Sequence, residues 1–492
     1  MAHILPDPAY SLKEFRLLPG YTAAEGAMPH VSLATRLCRQ DEDFFHIRTP
    51  FISAAMQAVT GVDMAIAMAQ LGGIGILPVS QTIEEQCAKV AAVKRFKAGF
   101  QTHIVTLSPQ QPIHEVMTIM AETGYSTFPV TDTGLFHGTL VGVLTDKDFD
   151  ARYDGTCQVA ERMRTDMQVG VAIDDLKTAN QLMIKYGRGF LPIVSAEGTL
   201  LSVVFKNDLD KHIKHPHATI DAQKRLRVGA AVSTHPEDRE RVQALLEHEV
   251  DVLVIDASDG HTAFQRHMLT WIKSRSAGPV IAGNVVTSDG FQFLAEAGAD
   301  AVKVGMGIGS GCTTQEVKAT GRGQATALMQ VAAARECLAR RTGVYLPLIA
   351  DGGLSSPAEM VIALALGADA LMMGNFLARF TESPGQVVRN AAGESLKEYW
   401  MEGSQRARNH RRYAQLRSMF FAEGIVGQVP HLGSIYDQLP IILQMLQSAF
   451  ATAGCRTVDE LHTHAVLERQ SPQALQDSQI HSMVPLHSVA EP

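Results

Sequence analysis

Long apolar runs are missing from this chain: no stretch approaches the roughly 18–20 consecutive apolar residues a membrane-crossing helix needs, so none is expected. Paired cysteines are missing too. The six thiols (residues 38, 87, 157, 312, 337 and 455) show no CxxC or other metal spacing. Over this length they form no disulfide framework, which points to a reducing compartment. Positive charge is outnumbered, 43 Lys and Arg against 51 Asp and Glu, and a formal charge of −8 argues against a general nucleic-acid binder. No GxGxxG opens a helix, which removes the main support for an open doubly wound dinucleotide fold. The opening MAHILPDPAYSLKEF has acidic groups and no apolar core, and the closing HSVAEP carries no address signal, so a cytoplasmic location is expected.

What is present is a packed chain, 46% hydrophobic over 492 residues, long enough for two or three domains. Short apolar runs ending in Gly, Asp, Asn or Pro recur at Phe51–Ser53, Gly73–Leu77, Leu226–Val232, Val252–Asp256, Val280–Gly283, Ala301–Gly305, Leu346–Asp351 and Ala370–Gly374. Most lead into amphipathic stretches, clearest at Asp289–Ala297. Eight strands alternating with helices predict an α/β fold, a closed (β/α)8 TIM barrel. The spacing fails once. Between the second and third runs lie nearly 150 residues, far beyond a βα loop. That gap holds an internal repeat, from IVTLSPQQPIHEVMTIMAETGYSTFPVTD to LVGVLTDKDF and again from VGVAIDDLKTANQLMIKYGRGFLPIVS to LLSVVFKNDL. The expected organisation is residues 1–100 and 216–492 as the barrel, with 101–215 inserted. A flap at about 376–430 and a C-terminal tail follow strand eight.

The chemistry concentrates at strand ends, the catalytic face of such barrels. After strand six, VGMGIGSGCTTQ carries glycines at 305, 307, 309 and 311 and then Cys312. Most cysteines are small buried hydrophobes, but a thiol ending a glycine-rich loop at this face reads better as a nucleophile. Strand four ends at Asp256 and Ser258, strand five at Asn284, strand seven at Asp351-Gly352-Gly353, and strand eight at Gly374-Asn375. Glycine loops after strands seven and eight suit a phosphate, and Asp351 suits a ribose diol. A DGG alone is a common tight turn; beside GN and the thiol loop it points to a nucleotide or sugar phosphate. Residues 397–413, KEYWMEGSQRARNHRRY, read as a mobile lid rather than a solvated charge run.

These motifs, with PFISAAMQAVTG, DASDG, GNVVT, GRGQATA, IADGG, MMGN, EYWMEGS and EGIVGQVP, occur in the order that resembles the IMP dehydrogenase / GMP reductase family over nearly the whole chain. The inserted repeat resembles a tandem CBS pair, or Bateman domain. The dehydrogenase resemblance implies that Cys312 attacks C2 of IMP, a hydride passes to NAD, and water hydrolyses the resulting thioimidate to XMP, a step of guanine nucleotide biosynthesis. It implies Arg412 and Tyr413 as the pair that activates water, with Thr314 and Glu423 as a second proton route. It assigns Ser310, Asp351, Gly353, Gly374 and Asn375 to the ribose phosphate, and Tyr399, Met401, Glu402 and Gly403 to the base. Asp256, Ser258, Asn284, Gly305 and Gly307 fall to the dinucleotide. Carbonyls of Gly307, Gly309 and Cys312 fall to a potassium ion shared with a neighbouring subunit. The CBS likeness implies purine nucleotides at Thr145, Asp148 and Asp208. A homotetramer, or octamer, is implied.

Two departures stand out. Alanines at 54 and 55 replace a serine that some relatives carry near the phosphate. Asp477-Ser478-Gln479 stands where the family's glycine-rich cation motif belongs. The alternatives are a GMP reductase using NADPH, which the Arg412-Tyr413 pair disfavours, and a catalytically idle nucleotide sensor.

Overall fold

The structure is a computed structural model that describes residues 2–40, 42–96, 100–101, 104–173, 175–206, 215–408 and 422–479. Eight parallel strands close into a barrel: β1 (Phe51–Ser53), β2 (Ile74–Leu77), β3 (Gly229–Val232), β4 (Val252–Asp256), β5 (Val280–Val285), β6 (Ala301–Val304), β7 (Leu348–Asp351) and β8 (Ala370–Met373). Leu371 opposite Phe51 closes the ring, and Gly229 opposite Ile76 joins strands separated by the whole insertion. The strands are short and nearly all buried, as expected when helices cover a parallel sheet. Those helices are α1 (Val62–Gln70), α2 (Ile83–Arg95), α3 (Asp238–Glu247), α4 (Ala263–Lys273), α5 (Ser288–Glu296), α6 (Gln324–Thr342), α7 (Pro357–Ala365) and α8 (Ile435–Thr452). Their starts are written locally. Thr262, Thr287 and Ser356 each accept a backbone N–H of the first turn, and Ser356 with Glu359 forms a capping box ahead of Pro357.

An N-terminal hairpin, Thr35–Gln40 with Asp43–Ile47, packs Leu37, Cys38, Phe45 and Ile47 into one core cluster with Ile52, Ile76, Val254, Ile281 and Met372 of the barrel. Arg39 N–H donates to the carbonyl of Asp300, just before β6, so the hairpin plugs the N-terminal end. Burying each such side chain contributes roughly 1.5–3 kcal/mol. The opposite rim is left for chemistry. Beyond β8 the expected irregular lid is partly a sheet: Val387–Arg389, Ser395–Trp400 and Val426–Pro430 pair antiparallel. Lys397 and Tyr399 share one buried face of the middle strand, with Glu398 half-buried between them, and Trp400 is buried at its end.

A second compact unit comprises Phe96–Pro216 and Ile220–Leu226. The inserted unit thus begins and ends slightly outside 101–215, and the third barrel strand starts at Gly229 rather than Leu226. Its first half has a helix, Ile113–Thr123, and an antiparallel pair, Thr127–Thr131 with Leu140–Thr145, beside a parallel bridge at Leu107. The second half repeats the plan with Gly170–Val171, helix Leu176–Tyr186, and Phe190–Val194 paired to Leu200–Phe205. Both helices stop at a left-handed glycine, Gly124 (φ 70°) and Gly187 (φ 62°). Among the described residues no helix is long and apolar enough to cross a membrane.

Candidate active site

The thiol loop leaves β6 at Gly305 (φ 145°), where a side chain would collide with the Asp351 carbonyl. The loop is zipped to the segment that returns from the flap. Ile425 N–H donates to Gly311 O at 3.1 Å, Thr313 N–H to Glu423 O at 3.3 Å, and Cys312 bridges Gly424. This lays Cys312 beside a line of polar groups. Its Sγ donates to Thr314 Oγ1 at 3.1 Å, and Thr314 Oγ1 donates to Glu423 Oε2 at 3.1 Å. Lys318 Nζ stands 3.2–3.3 Å from both Glu423 oxygens.

Three strand ends converge on Lys303, a lysine buried in β6. Its Nζ donates to Asp351 Oδ2 at 2.7 Å and Asp256 Oδ1 at 3.1 Å. Burial opposes the charge, but the two carboxylates outweigh it and hold the ammonium pKa above its ordinary value. Asn284 Nδ2 donates to Asp351 Oδ2 at 2.9 Å and to Gly305 O at 2.7 Å. Asn284 Oδ1 is buried and accepts nothing among the described residues.

At the far end, Gly352 (φ 90°) and Gly353 (φ 73°) make a turn that only glycines adopt readily, and Gly374-Asn375 faces it from β8. Arg379 Nη2 donates to Asn375 Oδ1 at 3.2 Å, which leaves the Asn375 amide NH2 as the group to present to an anion. On the remaining side lie Tyr399, Met401, Glu402 and Gly403. Glu402 is fixed by Gln57 N–H and the Ser80 hydroxyl, both at 2.6 Å. Tyr399 O–H donates to Met401 Sδ at 3.4 Å, and burial raises its pKa well above the usual phenol range.

Cys312, Thr314 and Glu423, the Lys303–Asp256–Asp351 cluster with Asn284, the Gly352–Gly353 and Gly374–Asn375 turns, and Tyr399, Met401, Glu402 and Gly403 line one cleft of about 460 Å³ with Ser258, Ser310, Gly307 and Gly309. Sequence reasoning passed over Lys303, Gln57, Ser80, Lys318, Arg379 and the cleft residue Lys13, which reaches Glu359 at 3.7 Å. Lys303 left a signal, a charge inside the apolar run AVKV. The others left none. Arg412, Tyr413 and Asp208 lie outside the described residues. Of the expected cation set, Gly307 O accepts from Gln315 Nε2 at 2.8 Å and Gly309 O from Cys312 N at 3.0 Å, and each carbonyl keeps a second lone pair.

Thr145 and Asp148 belong to the inserted unit. There Asp148 Oδ2 accepts from Thr145 N and Oγ1, both at 2.7 Å, and Oδ1 pairs with Arg164 Nε at 2.6 Å. The Asp148 carboxyl is thereby held below its usual pKa: burial raises it, and the Arg164 and Thr145 hydrogen bonds outweigh that.

Fold and cleft together define a (β/α)8 barrel with a thiol and a lysine-bridged carboxylate pair at its C-terminal rim. The family model described as "IMP dehydrogenase / GMP reductase domain" matches residues 9–481. Inosine-5′-monophosphate dehydrogenase of Tritrichomonas foetus is 37% identical over 98% of both chains. That of Schizosaccharomyces pombe is 39% identical over 92% of this chain and 86% of its own. Among solved structures, a GMP reductase variant from Trypanosoma brucei in complex with guanosine 5′-monophosphate aligns with a TM-score of 0.82 at 28% identity, covering 97% of this chain and 98% of that one. The chain belongs to the IMP dehydrogenase / GMP reductase family.

Proposed function

We propose that this cleft oxidises IMP to XMP with NAD as hydride acceptor, a step that commits purine to guanine nucleotides. The observation that carries it is the thiol of Cys312 at the head of the Thr314–Glu423 line, facing the rim that bears Asp351, Gly353, Gly374 and Asn375. The thiol proton moves along Thr314 toward Glu423 while Sγ bonds to C2 of the hypoxanthine. Loss of hydride from C2 leaves a thioimidate on Cys312. Water then adds at C2, the C–S bond breaks, and XMP leaves with the thiol restored. Asp351 orients the ribose; Ser310, Gly353, Gly374 and Asn375 hold the phosphate; Tyr399, Met401, Glu402 and Gly403 hold the base. Asp256, Ser258, Asn284, Gly305 and Gly307 would hold the dinucleotide, which supplies only the hydride acceptor. Arg412 with Tyr413 is the water-activating pair. Its arginine must lose a proton from a group that stays protonated to about pH 12 or beyond, so a closed, dry lid is part of the proposal.

The inserted unit is, on this reading, a tandem CBS domain that binds regulatory purine nucleotides at Thr145, Asp148 and Asp208, in a cytoplasmic homotetramer or octamer. The likeness to a GMP reductase structure favours a second reading, NADPH-dependent deamination of GMP to IMP. Absorbance at 340 nm separates the two. A rise with IMP and NAD supports the first reading, and a fall with GMP and NADPH supports the second.

A further inference from the structure

Lys303 is a single cation serving two carboxylates that lie on either side of the cleft. Its side chain is 3% exposed, and its ammonium lies 3.1 Å from Asp256 at the end of β4 and 2.7 Å from Asp351 at the end of β7. The stem passes Gly283, where a Cβ would stand 2.6 Å from that of Lys303, so the neighbouring strand is cut away to admit it. Lys303 and Asn284 both bind the same oxygen of Asp351, Oδ2, which turns Oδ1 toward a ligand. Both carboxylates line the cleft. Two anions sharing one buried cation are not independent.

We propose that Lys303 is a positioning residue that couples the nucleotide and dinucleotide halves of the cleft. The proposal rests on the reading of the ligands above. When Asp256 is neutralised, or its charge is satisfied by a ligand's hydroxyls, its pull on the ammonium falls and Lys303 settles on Asp351. Asp351 then accepts a ribose diol less strongly. An event on one side of the cleft is thus felt on the other with no shift of backbone.

The test reads IMP binding to the full chain by calorimetry, with no dinucleotide present. Asp256→Asn, which removes the carboxylate that shares Lys303 with Asp351, is expected to weaken IMP binding about three- to tenfold, within the range of measured couplings. In a Lys303→Met background the same Asp256→Asn change is expected to alter IMP affinity by less than about twofold. Lys303→Arg keeps the shared charge, so the Asp256→Asn effect persists there; Lys303→Gln, polar but uncharged, replaces Lys303→Met if that variant does not fold. Equal IMP affinity in the wild type and Asp256→Asn, or an effect of the same size with and without the lysine, overturns the coupling. Wild-type protein that binds neither IMP nor GMP refutes the ligand reading instead, so the two failures are told apart.

Discussion

Cys312 Sγ lies 3.1 Å from the hydroxyl of Thr314, close enough for the thiol proton to leave along a hydroxyl that itself donates to Glu423. Cys312→Ala removes the atom that bonds to C2. Formation of NADH from IMP, followed at 340 nm, is expected to be abolished. Appreciable residual turnover would exclude thiol catalysis.

Thr314→Val keeps the shape of that residue and removes the link between Cys312 and Glu423. Turnover is expected to fall roughly 10²-fold, the lower end of what a lost proton-transfer group costs. An unchanged rate in steady-state assays would leave Thr314 with a packing role only.

Arg412→Ala tests the lid. Hydrolysis of the thioimidate is expected to slow by roughly 10²–10⁴, the usual worth of a general base, while the first turnover still releases a burst of NADH. Stopped-flow absorbance distinguishes the burst from the steady state. A full steady-state rate would remove Arg412 from the mechanism.

In the inserted unit, Arg164 occupies Asp148 at 2.6 Å, the carboxylate assigned to a ribose. A nucleotide must displace it. Asp148→Ala in the full chain is expected to abolish the calorimetric heat of binding of at least one of ATP, GDP and GTP. Arg164→Ala is expected to retain binding of that nucleotide. No heat from any of the three with the wild type would make the unit a spacer.

Lys397 donates to the carbonyls of Phe380, Thr381 and Ser383, and burial lowers its pKa to about 8. The unfolded chain therefore holds this proton to higher pH than the folded one, and folding stability from this group rises as pH climbs from about 8 toward the ordinary lysine value. Melting temperatures taken at pH 7 and 9.5 are expected to rise with pH more in the wild type than in Lys397→Met. A parallel pH dependence in both would refute the lowered pKa.

Much of this molecule could be read along the chain because its units are local. A barrel strand in a βα unit is a short apolar run with a glycine, aspartate or asparagine at its end. All eight runs emerged as strands, displaced by three residues or fewer at their boundaries. The tandem halves of the insertion carried matching Phe-Pro-Val and Leu-Pro-Ile-Val strands, so their common plan was visible before any contact was known. The antiparallel sheet that follows β8 was less visible, because its third strand pairs across the 25 residues between Trp400 and Val426.

By itself, then, the order of residues determined the barrel, the inserted pair and the thiol loop, since each rests on backbone preferences and burial patterns within a few dozen positions. Closure of the ring decided the rest. It set Ser80 against Glu402 from 322 positions away and put one lysine between the carboxylates of two other strands. No neighbour in sequence encodes such pairings. They depend on strand register around a closed sheet, which exists only once every strand is in place.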